Sequence, residues 1–133
     1  MIDLPKKHPV SQLLDNRGSL SFMNLPFPIK RFYYFSNLTN GAERGNHAHK
    51  ELRQIILCVQ GSFDLNLATP DSSHQYSMSQ SDFAVEVPKG YWRFLKNFSL
   101  DSIGLVLASE SYDESDYIKD FGEYKYWFKK NYL

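Results

Sequence analysis

A succession of short β-forming segments, separated by turn-forming clusters, limits what this chain can fold into. Residues 29–35 and 103–108 are rich in aromatic or branched apolar side chains, and residues 62–67 alternate polar and apolar side chains as a half-exposed strand does. Residues 55–59 are apolar throughout, which is typical of a strand buried on both faces. About eight to ten such segments are expected, and they predict a closed or sandwiched all-β fold.

The last part of the chain changes to a helical period. Aromatic residues at positions 117, 121, 124 and 128 follow the i, i+4, i+7, i+11 spacing of one helix face. Acidic residues stand at the beginning of this stretch and lysines at its end, which complements the helix dipole. Residues 116–130 are therefore predicted to include an amphipathic helix that packs against the β fold or a second subunit.

Composition narrows the classes of function. Fifteen basic and fifteen acidic residues cancel, so there is no global positive field to hold nucleic acid or anionic lipid. No apolar stretch approaches the length of a membrane span, which is about 20 residues, and the N-terminus lacks the apolar segment of a secretory signal. The single cysteine, Cys58, lies in an apolar run and cannot form an internal disulfide. We expect a cytoplasmic protein that binds neither nucleic acid nor membranes.

His47 and His49 are the leading candidates for chemistry. They follow a polar loop and precede the apolar run at residues 55–59. In an extended chain, residues two apart project to the same face, so both imidazoles are expected to share one pocket while Ala48 points the other way. Imidazole titrates near neutrality, with an unperturbed pKa of about 6.5, and is therefore suited to acid and base catalysis.

The spacing around this pair resembles two sequence signatures of the cupin superfamily. Residues 41–61, GAERGNHAHKELRQIILCVQG, resemble the first signature, with Gln54 where metal-binding members carry glutamate. Residues 82–97 resemble the second, with Asp82 in place of a glycine and Arg93 in place of the third metal histidine. Arginine has only donors and stays protonated, so it does not ligate a cation. The pocket is predicted to hold no metal.

A closer resemblance extends over nearly the whole chain. IKRFYYF, ERGNHAHKELRQ, VPKGYWR and LVLASESYDESDYIKD together resemble the sugar 3,4-ketoisomerases that act on nucleotide-linked 4-keto-6-deoxyhexoses. The resemblance implies a single cupin domain over residues 1–133, a small all-β barrel or jelly roll with a short C-terminal helix. It also implies a homodimer without cofactor, acting on a dTDP-linked keto sugar. The carbonyl would move from C4 to C3, in the biosynthesis of 3-amino-3,6-dideoxy sugars for surface glycans.

Moving a carbonyl in this way requires removal of the C3 proton, an enediol or enediolate, and return of a proton to C4. We assign the C3 abstraction to His49 and a transfer involving a sugar oxygen or C4 to His47, and the reverse assignment stays open. A positioned acid or base contributes a factor of about 10² to 10⁴ in rate. Tyr34 is expected to contact the sugar, with Tyr33 as the alternative.

Three arginines are candidates for binding charge on the substrate. Arg44 lies directly before the histidine pair, and either it or Arg93 is expected to stabilise an oxyanion or the diphosphate through charge-assisted hydrogen bonds. Arg44 in a surface ion pair is the competing interpretation. Arg17 follows a turn-forming cluster, and the sequence does not distinguish an anion contact there from a solvated turn residue.

Each of the remaining site candidates also has a purely structural interpretation. Trp92 either stacks on a thymine base or packs in the core. Gln54 and Glu110 either bind the substrate or form hydrogen bonds inside the barrel that orient the imidazoles.

Other functions remain open at this level. The chain could be a nucleotide-sugar epimerase of the cupin class, which uses the same histidine chemistry without moving the carbonyl. A non-catalytic sugar-binding cupin and a metal-dependent cupin enzyme are further alternatives. The configuration at C4 of the product depends on pocket geometry and is not determined by the sequence.

Overall fold

The computed structural model describes residues 1–80 and 82–133. The strands are β1 (Lys6–Pro9), β2 (Ser11–Asp15), β3 (Gly18–Phe22), β4 (Arg31–Phe35), β5 (Arg44–His49), β6 (Gln54–Gln60), β7 (Ser62–Ala68), β8 (Ser73–Ser79), β9 (Phe83–Val87), β10 (Trp92–Lys96), β11 (Ile103–Ala108) and β12 (Tyr117–Ile118), and the helix is α1 (Phe121–Tyr132). The predicted fold class, all-β with a short C-terminal helix, is confirmed.

Two antiparallel sheets form the body of the fold. The first has the strand order β1-β9-β6-β11-β4 and the second the order β12-β5-β10-β7-β8. Their inner faces meet in one core, with Ile56 and Val106 from the first sheet packed with Leu65, Leu67 and other buried side chains of the second. Burial of these apolar side chains supplies the main stabilising free energy of the sandwich.

The C-terminal helix predicted within residues 116–130 is present, at residues 121–132. Residues 114–116 form a 3₁₀ turn, and Tyr117 and Ile118 pair with β5 as β12, so the predicted place of Tyr117 on the helix face is wrong. Asp120 caps the helix by accepting a hydrogen bond from the backbone amide of Glu123 at 2.9 Å. The helix packs on the outer face of the second sheet through Tyr124 and Phe128. Within residues 1–80 and 82–133, no helix has the length and apolar character needed to cross a lipid bilayer.

The N-terminal segment is divided between an edge strand and a separate hairpin. β1 pairs with β9 at the edge of the first sheet, as the early prolines predict. β2 and β3 pair only with each other, and every residue of both strands is exposed. One face of this hairpin is apolar, with Leu13 opposite Leu20 and Phe22 beside them.

Candidate functional site

A cavity of about 240 Å³ lies between the two sheets. Its wall combines a few aliphatic core residues with seven residues that carry polar side chains. These seven are Arg31, Tyr33, Arg44, His47, Gln54, Arg93 and Tyr117. They come from four strands of the two sheets and from β12, so the sandwich itself fixes their positions.

The two histidines lie on the same face of β5, as the alternation of an extended strand predicts. Their ring centroids are 4.8 Å apart and the rings are perpendicular. Ala48, between them, is buried on the opposite face under α1. The ring of His47 lines the cavity, whereas His49 is 0% exposed and does not line it. His49 lies one layer deeper, with its ring centroid 4.3 Å from that of Tyr117.

A β-bulge in β5 sets the orientation of His47. His47 is the cross-strand partner of Arg93 in β10, but the next residue of β10 pairs with Gly45, so Asn46 is the extra residue. Gly45 and Asn46 both have positive φ, at 89° and 59°. A side chain at Gly45 would bring its Cβ to 2.9 Å from the carbonyl oxygen of Arg93, so only glycine fits there.

Each histidine directs Nδ1 to a hydrogen-bond acceptor. His47 Nδ1 lies 3.1 Å from the carbonyl oxygen of Gly45, and His49 Nδ1 lies 3.0 Å from Oδ2 of Asp116. Because a carbonyl and a carboxylate only accept, both Nδ1 atoms carry the proton and both Nε2 atoms have free lone pairs. Both Nε2 atoms are buried without a hydrogen-bond partner, which leaves them available as bases.

Burial keeps both imidazoles neutral at pH 7. Burial and the positive charge of Arg93 lower the pKa of His47 to about 4, against the opposing effect of the Gly45 carbonyl. Burial and the positive charge of Arg93 also lower the pKa of His49 below the ordinary histidine value. A neutral imidazole is the form that can remove a proton from carbon.

The cavity carries positive charge that the protein itself does not neutralise. Arg93 is 2% exposed, Arg31 is half-buried, and Arg44 is exposed at the mouth. Within the described residues, none of these guanidinium groups pairs with a carboxylate. Burial lowers the pKa of Arg93 to about 10, so it remains charged at neutral pH. A site of this kind is suited to an anionic ligand.

Gln54 connects Arg93 to Tyr33. Arg93 donates to Oε1 of Gln54 and, at 3.0 Å, to the carbonyl oxygen of Tyr91, while Nε2 of Gln54 donates to the hydroxyl of Tyr33 at 3.1 Å. Burial raises the pKa of Tyr33, so its hydroxyl stays protonated. Since that hydroxyl accepts from Gln54, its own proton is available for a ligand oxygen. Gln54 therefore orients Arg93 and Tyr33 rather than the imidazoles.

Tyr34 and Trp92 lie on the wrong faces of their strands to contact a ligand in the cavity. Tyr34 is 64% exposed on the outer face of β4, so its predicted place near the pocket is wrong and Tyr33 occupies that place. Trp92 is buried between β10 and α1, with its ring centroid 5.2 Å from that of Phe121. The structure therefore supports core packing for Trp92.

Arg17 and Glu110 also lie outside the cavity. Arg17 is exposed at the turn of the β2–β3 hairpin and forms an ion pair with Asp15. Glu110 is partly exposed and lies 3.6 Å from the ammonium group of Lys30, so its predicted hydrogen bond inside the barrel is wrong. Asp116 takes the role that was expected of Glu110, because its carboxylate contacts His49 directly.

Sequence reasoning overlooked Arg31, Asp116 and Tyr117. Arg31 opens β4, in the same segment from which Tyr34 was selected, and its guanidinium lies 5.3 Å from the ring centroid of Tyr33. Asp116 and Tyr117 stand in the LASESYDESDYIKD stretch that carries the family resemblance. The helical period predicted from residue 116 onward hid the place of these two residues beside β5.

The two neighbouring tyrosines of β4 give a direct test of the cavity. Tyr33→Phe removes the hydroxyl that faces the cavity, and we expect kcat/KM to fall about tenfold. This factor corresponds to about 1.4 kcal/mol, the net free energy of one hydrogen bond to the substrate. Tyr34→Phe is the matched control and should leave kcat/KM within twofold. Steady-state kinetics of both variants measures this difference, and a larger loss for Tyr34→Phe would contradict the assignment.

Within residues 1–80 and 82–133, no group of three or more histidine, cysteine, aspartate or glutamate side chains is arranged to hold a metal ion. The positions that resemble metal ligands in cupins are occupied by Gln54 and Arg93, which bond to each other. The donor set therefore does not fit a divalent cation.

The fold and the site together define the structural class to which this protein belongs. An antiparallel β-sandwich with a cavity between its sheets, and with a histidine pair on one inward-facing strand, is a cupin. The family within that class follows from a comparison with known families. The model of the FdtA family, described as WxcM-like, C-terminal, matches residues 2–129. The chain belongs to this family.

Relatives of the chain are sugar-nucleotide ketoisomerases. A TDP-4-oxo-6-deoxy-alpha-D-glucose-3,4-oxoisomerase of Aneurinibacillus thermoaerophilus is 34% identical over 123 residues, which cover 90% of this chain and 88% of that protein. A histidine-to-asparagine mutant of the 3,4-ketoisomerase QdtA from Thermoanaerobacterium thermosaccharolyticum, in complex with TDP-4-keto-6-deoxyglucose, superposes with a TM-score of 0.92. It is 31% identical, and the match covers 100% of this chain and 99% of that chain.

A third relative comes from another organism. The TDP-quinovose 3,4-ketoisomerase WlaRB of Campylobacter jejuni is 35% identical and has a TM-score of 0.86, with 94% of this chain and 99% of that chain covered. The predicted resemblance to the sugar 3,4-ketoisomerases is confirmed.

Proposed function

We propose that this protein is a 3,4-ketoisomerase that converts a dTDP-linked 4-keto-6-deoxyhexose to its 3-keto isomer without a metal or other cofactor. The observation that carries the proposal is a neutral imidazole, His47, beside unpaired guanidinium groups in one cavity. The imidazole can remove a proton next to a carbonyl, and the guanidinium groups can stabilise the negative charge that develops. The names of the relatives supply the substrate class.

The reaction is a redistribution of hydrogen within the sugar. A base removes the hydrogen on C3, and the electron pair of that C–H bond forms the C3–C4 double bond of an enediolate with its negative charge on O4. The 3-hydroxyl then loses its proton as C3 becomes the carbonyl, C4 accepts a proton, and O4 ends as a hydroxyl. Substrate and product are isomers, so no oxidant or reductant is needed.

His47 is the histidine whose ring reaches the cavity, and we therefore assign the C3 proton to His47. This is the reverse of the assignment preferred from sequence, which gave that proton to His49. His49 is fully buried behind His47 and Tyr117, so its part is to support the imidazole of His47 and the proton transfers next to it.

The three arginines of the cavity lie at different depths, and we assign their roles accordingly. Arg93 is the cross-strand neighbour of His47 and the most deeply buried guanidinium, so we assign to it the negative charge on the enediolate. Arg44 at the mouth and half-buried Arg31 are assigned to the diphosphate. The proton of the Tyr33 hydroxyl is assigned to a sugar oxygen.

The test is incubation with dTDP-4-keto-6-deoxyglucose labelled with ¹³C at C3 and C4. The proposal predicts that the carbonyl resonance moves from C4 to C3, and that EDTA does not change the rate. A product that keeps its carbonyl at C4 but has changed configuration would identify an epimerase. Ligand binding without any turnover would identify a sugar-binding cupin.

We further propose that two copies of the chain form a homodimer through the outer face of the first sheet and the β2–β3 hairpin. Leu13 and Leu20 of the hairpin are each 60% exposed, and Phe32 and Tyr34 on the outer face of the edge strand β4 are exposed as well. A lone two-stranded hairpin is marginally stable, so it needs a surface to cover its apolar face. A second copy also places Arg17, at the turn of the hairpin, beside another subunit.

The dimer prediction is tested at the hairpin. Leu20→Asp puts a charge on the apolar face and is expected to weaken the dimer at least 100-fold, since burying an unpaired carboxylate costs several kcal/mol. Ser19→Asp, on the opposite face of the same strand, is the matched control and should leave the dissociation constant of the dimer unchanged. Analytical ultracentrifugation measures the dissociation constant, and equal behaviour of the two variants would contradict this interface.

A further inference from the structure

Asp116 holds His49 from the side opposite the cavity. Its side chain is 12% exposed, and Oδ2 accepts a hydrogen bond from His49 Nδ1 at 3.0 Å. Oδ1 accepts from the backbone amide of Glu51 at 2.8 Å, and Oδ2 also accepts from the backbone amide of Leu52 at 3.3 Å. The carboxylate is thus held by three donors, of which His49 is the only side chain.

The backbone around Asp116 fixes this arrangement. The residue ends the 3₁₀ turn at residues 114–116, and its carbonyl oxygen accepts from the backbone amide of Lys50 at 3.0 Å. The next residue, Tyr117, is the cross-strand partner of His49. Main-chain hydrogen bonds on both sides therefore place the carboxylate against the imidazole, and few alternative rotamers are compatible with them.

The contact determines the state of the imidazole. A carboxylate accepts hydrogen bonds but does not donate them, so His49 keeps its proton on Nδ1 and a free lone pair on Nε2. The ring of His49 then stands edge-on to that of His47, at 4.8 Å and 90°, and tilted against that of Tyr117, at 4.3 Å. His47 and Tyr117 both line the cavity, so the carboxylate supports the layer directly behind it.

We propose that Asp116 is a positioning residue for the isomerisation, fixing the tautomer and orientation of His49 and, through the His49 ring, the orientation of the His47 imidazole. The inference rests on the proposed function of the histidine pair. Asp116 does not line the cavity, so its contact with His49 is expected to affect the chemical step more than binding.

The kinetic test is Asp116→Asn. An asparagine amide can present its NH₂ group to Nδ1, which favours the opposite tautomer of His49. Supporting residues behind an active group are worth about 10- to 100-fold, so kcat should fall by that factor while KM stays within threefold. Glu114→Gln is the matched control, because it replaces an exposed acid of the same 3₁₀ turn, and it should leave both parameters unchanged.

A double-mutant cycle separates positioning from general stability. If Asp116 acts through His49, Asp116→Asn should change kcat less than threefold once His49 is already asparagine. An equal loss of kcat in both backgrounds would overturn the proposal, because it would mean that Asp116 acts independently of His49.

The tautomer is measured on the wild-type protein without substrate. Long-range ¹H–¹⁵N NMR should find His49 at pH 7 with Nδ1 protonated and Nε2 unprotonated, and a proton on Nε2 would overturn the proposal. This measurement is independent of turnover. A protein that lacks ketoisomerase activity but has the predicted tautomer would contradict the proposed function alone.

Discussion

His47→Asn is expected to lower kcat about 10³-fold with the fold intact. The imidazole lines the cavity, is neutral at pH 7, and has its Nε2 lone pair unused, so the substitution removes the group that we propose as the base for the C3 proton. General base catalysis contributes a factor of about 10² to 10⁴, and asparagine keeps much of the volume without a basic nitrogen. Single-turnover NMR with dTDP-4-keto-6-deoxyglucose measures the rate.

Two further histidine variants serve as comparisons for His47→Asn. His74→Asn alters a histidine on β8 that does not line the cavity, and should leave kcat within twofold. His49→Asn should cost about 10- to 100-fold, less than the loss at position 47, since His49 is buried behind the wall. A larger loss for His49→Asn than for His47→Asn would return the base to His49, the assignment first made from sequence.

Arg93→Met should separate activity from stability. Arg93 is buried, and no carboxylate in residues 1–80 or 82–133 pairs with it, so the fold bears the desolvation cost of this charge. An apolar side chain of similar volume removes that cost, although it leaves the oxygens of Gln54 and Tyr91 without a donor. We expect kcat/KM to fall about 10²- to 10³-fold while the free energy of unfolding changes by less than about 2 kcal/mol.

The matched control for Arg93→Met is Arg53→Met. Arg53 is exposed, and its guanidinium lies over the ring of Phe27 at 4.6 Å, outside the cavity. Its replacement should leave kcat/KM within twofold. Steady-state kinetics measures kcat/KM and thermal denaturation measures stability for both variants. An Arg93→Met protein with wild-type turnover would show that the buried charge does not serve the reaction.

Much of the site could be predicted because strand geometry links it to the sequence. A spacing of two residues placed both imidazoles on one face, and the second cupin signature brought Arg93 next to them. The β10–β5 register confirms that proximity, with Arg93 opposite His47. Gln54 does form hydrogen bonds inside the fold, as expected, but its partners are Arg93 and Tyr33 rather than the imidazoles.

The remaining errors concern which face or which neighbour a residue meets. Alternation in residues 31–35 distinguishes two faces, but only the packing of the second sheet decides that Tyr33, not Tyr34, lines the cavity. Likewise, Asp116 contacts His49 because residues 117–118 pair with β5, and this tertiary contact overrides the local helical pattern. Neither contact has a signal in local sequence.

We propose above all that a histidine-lined, cation-rich cavity moves the carbonyl by proton transfer at carbon. Proton NMR of dTDP-4-keto-6-deoxyglucose with the protein in D₂O, with and without EDTA, tests it most directly. The account predicts loss of the C3 proton signal and appearance of a 3-keto product, at equal rates in both samples, and the spectrum also gives the configuration at C4. A C3 proton that persists in both samples, with no 3-keto product formed, would contradict the account.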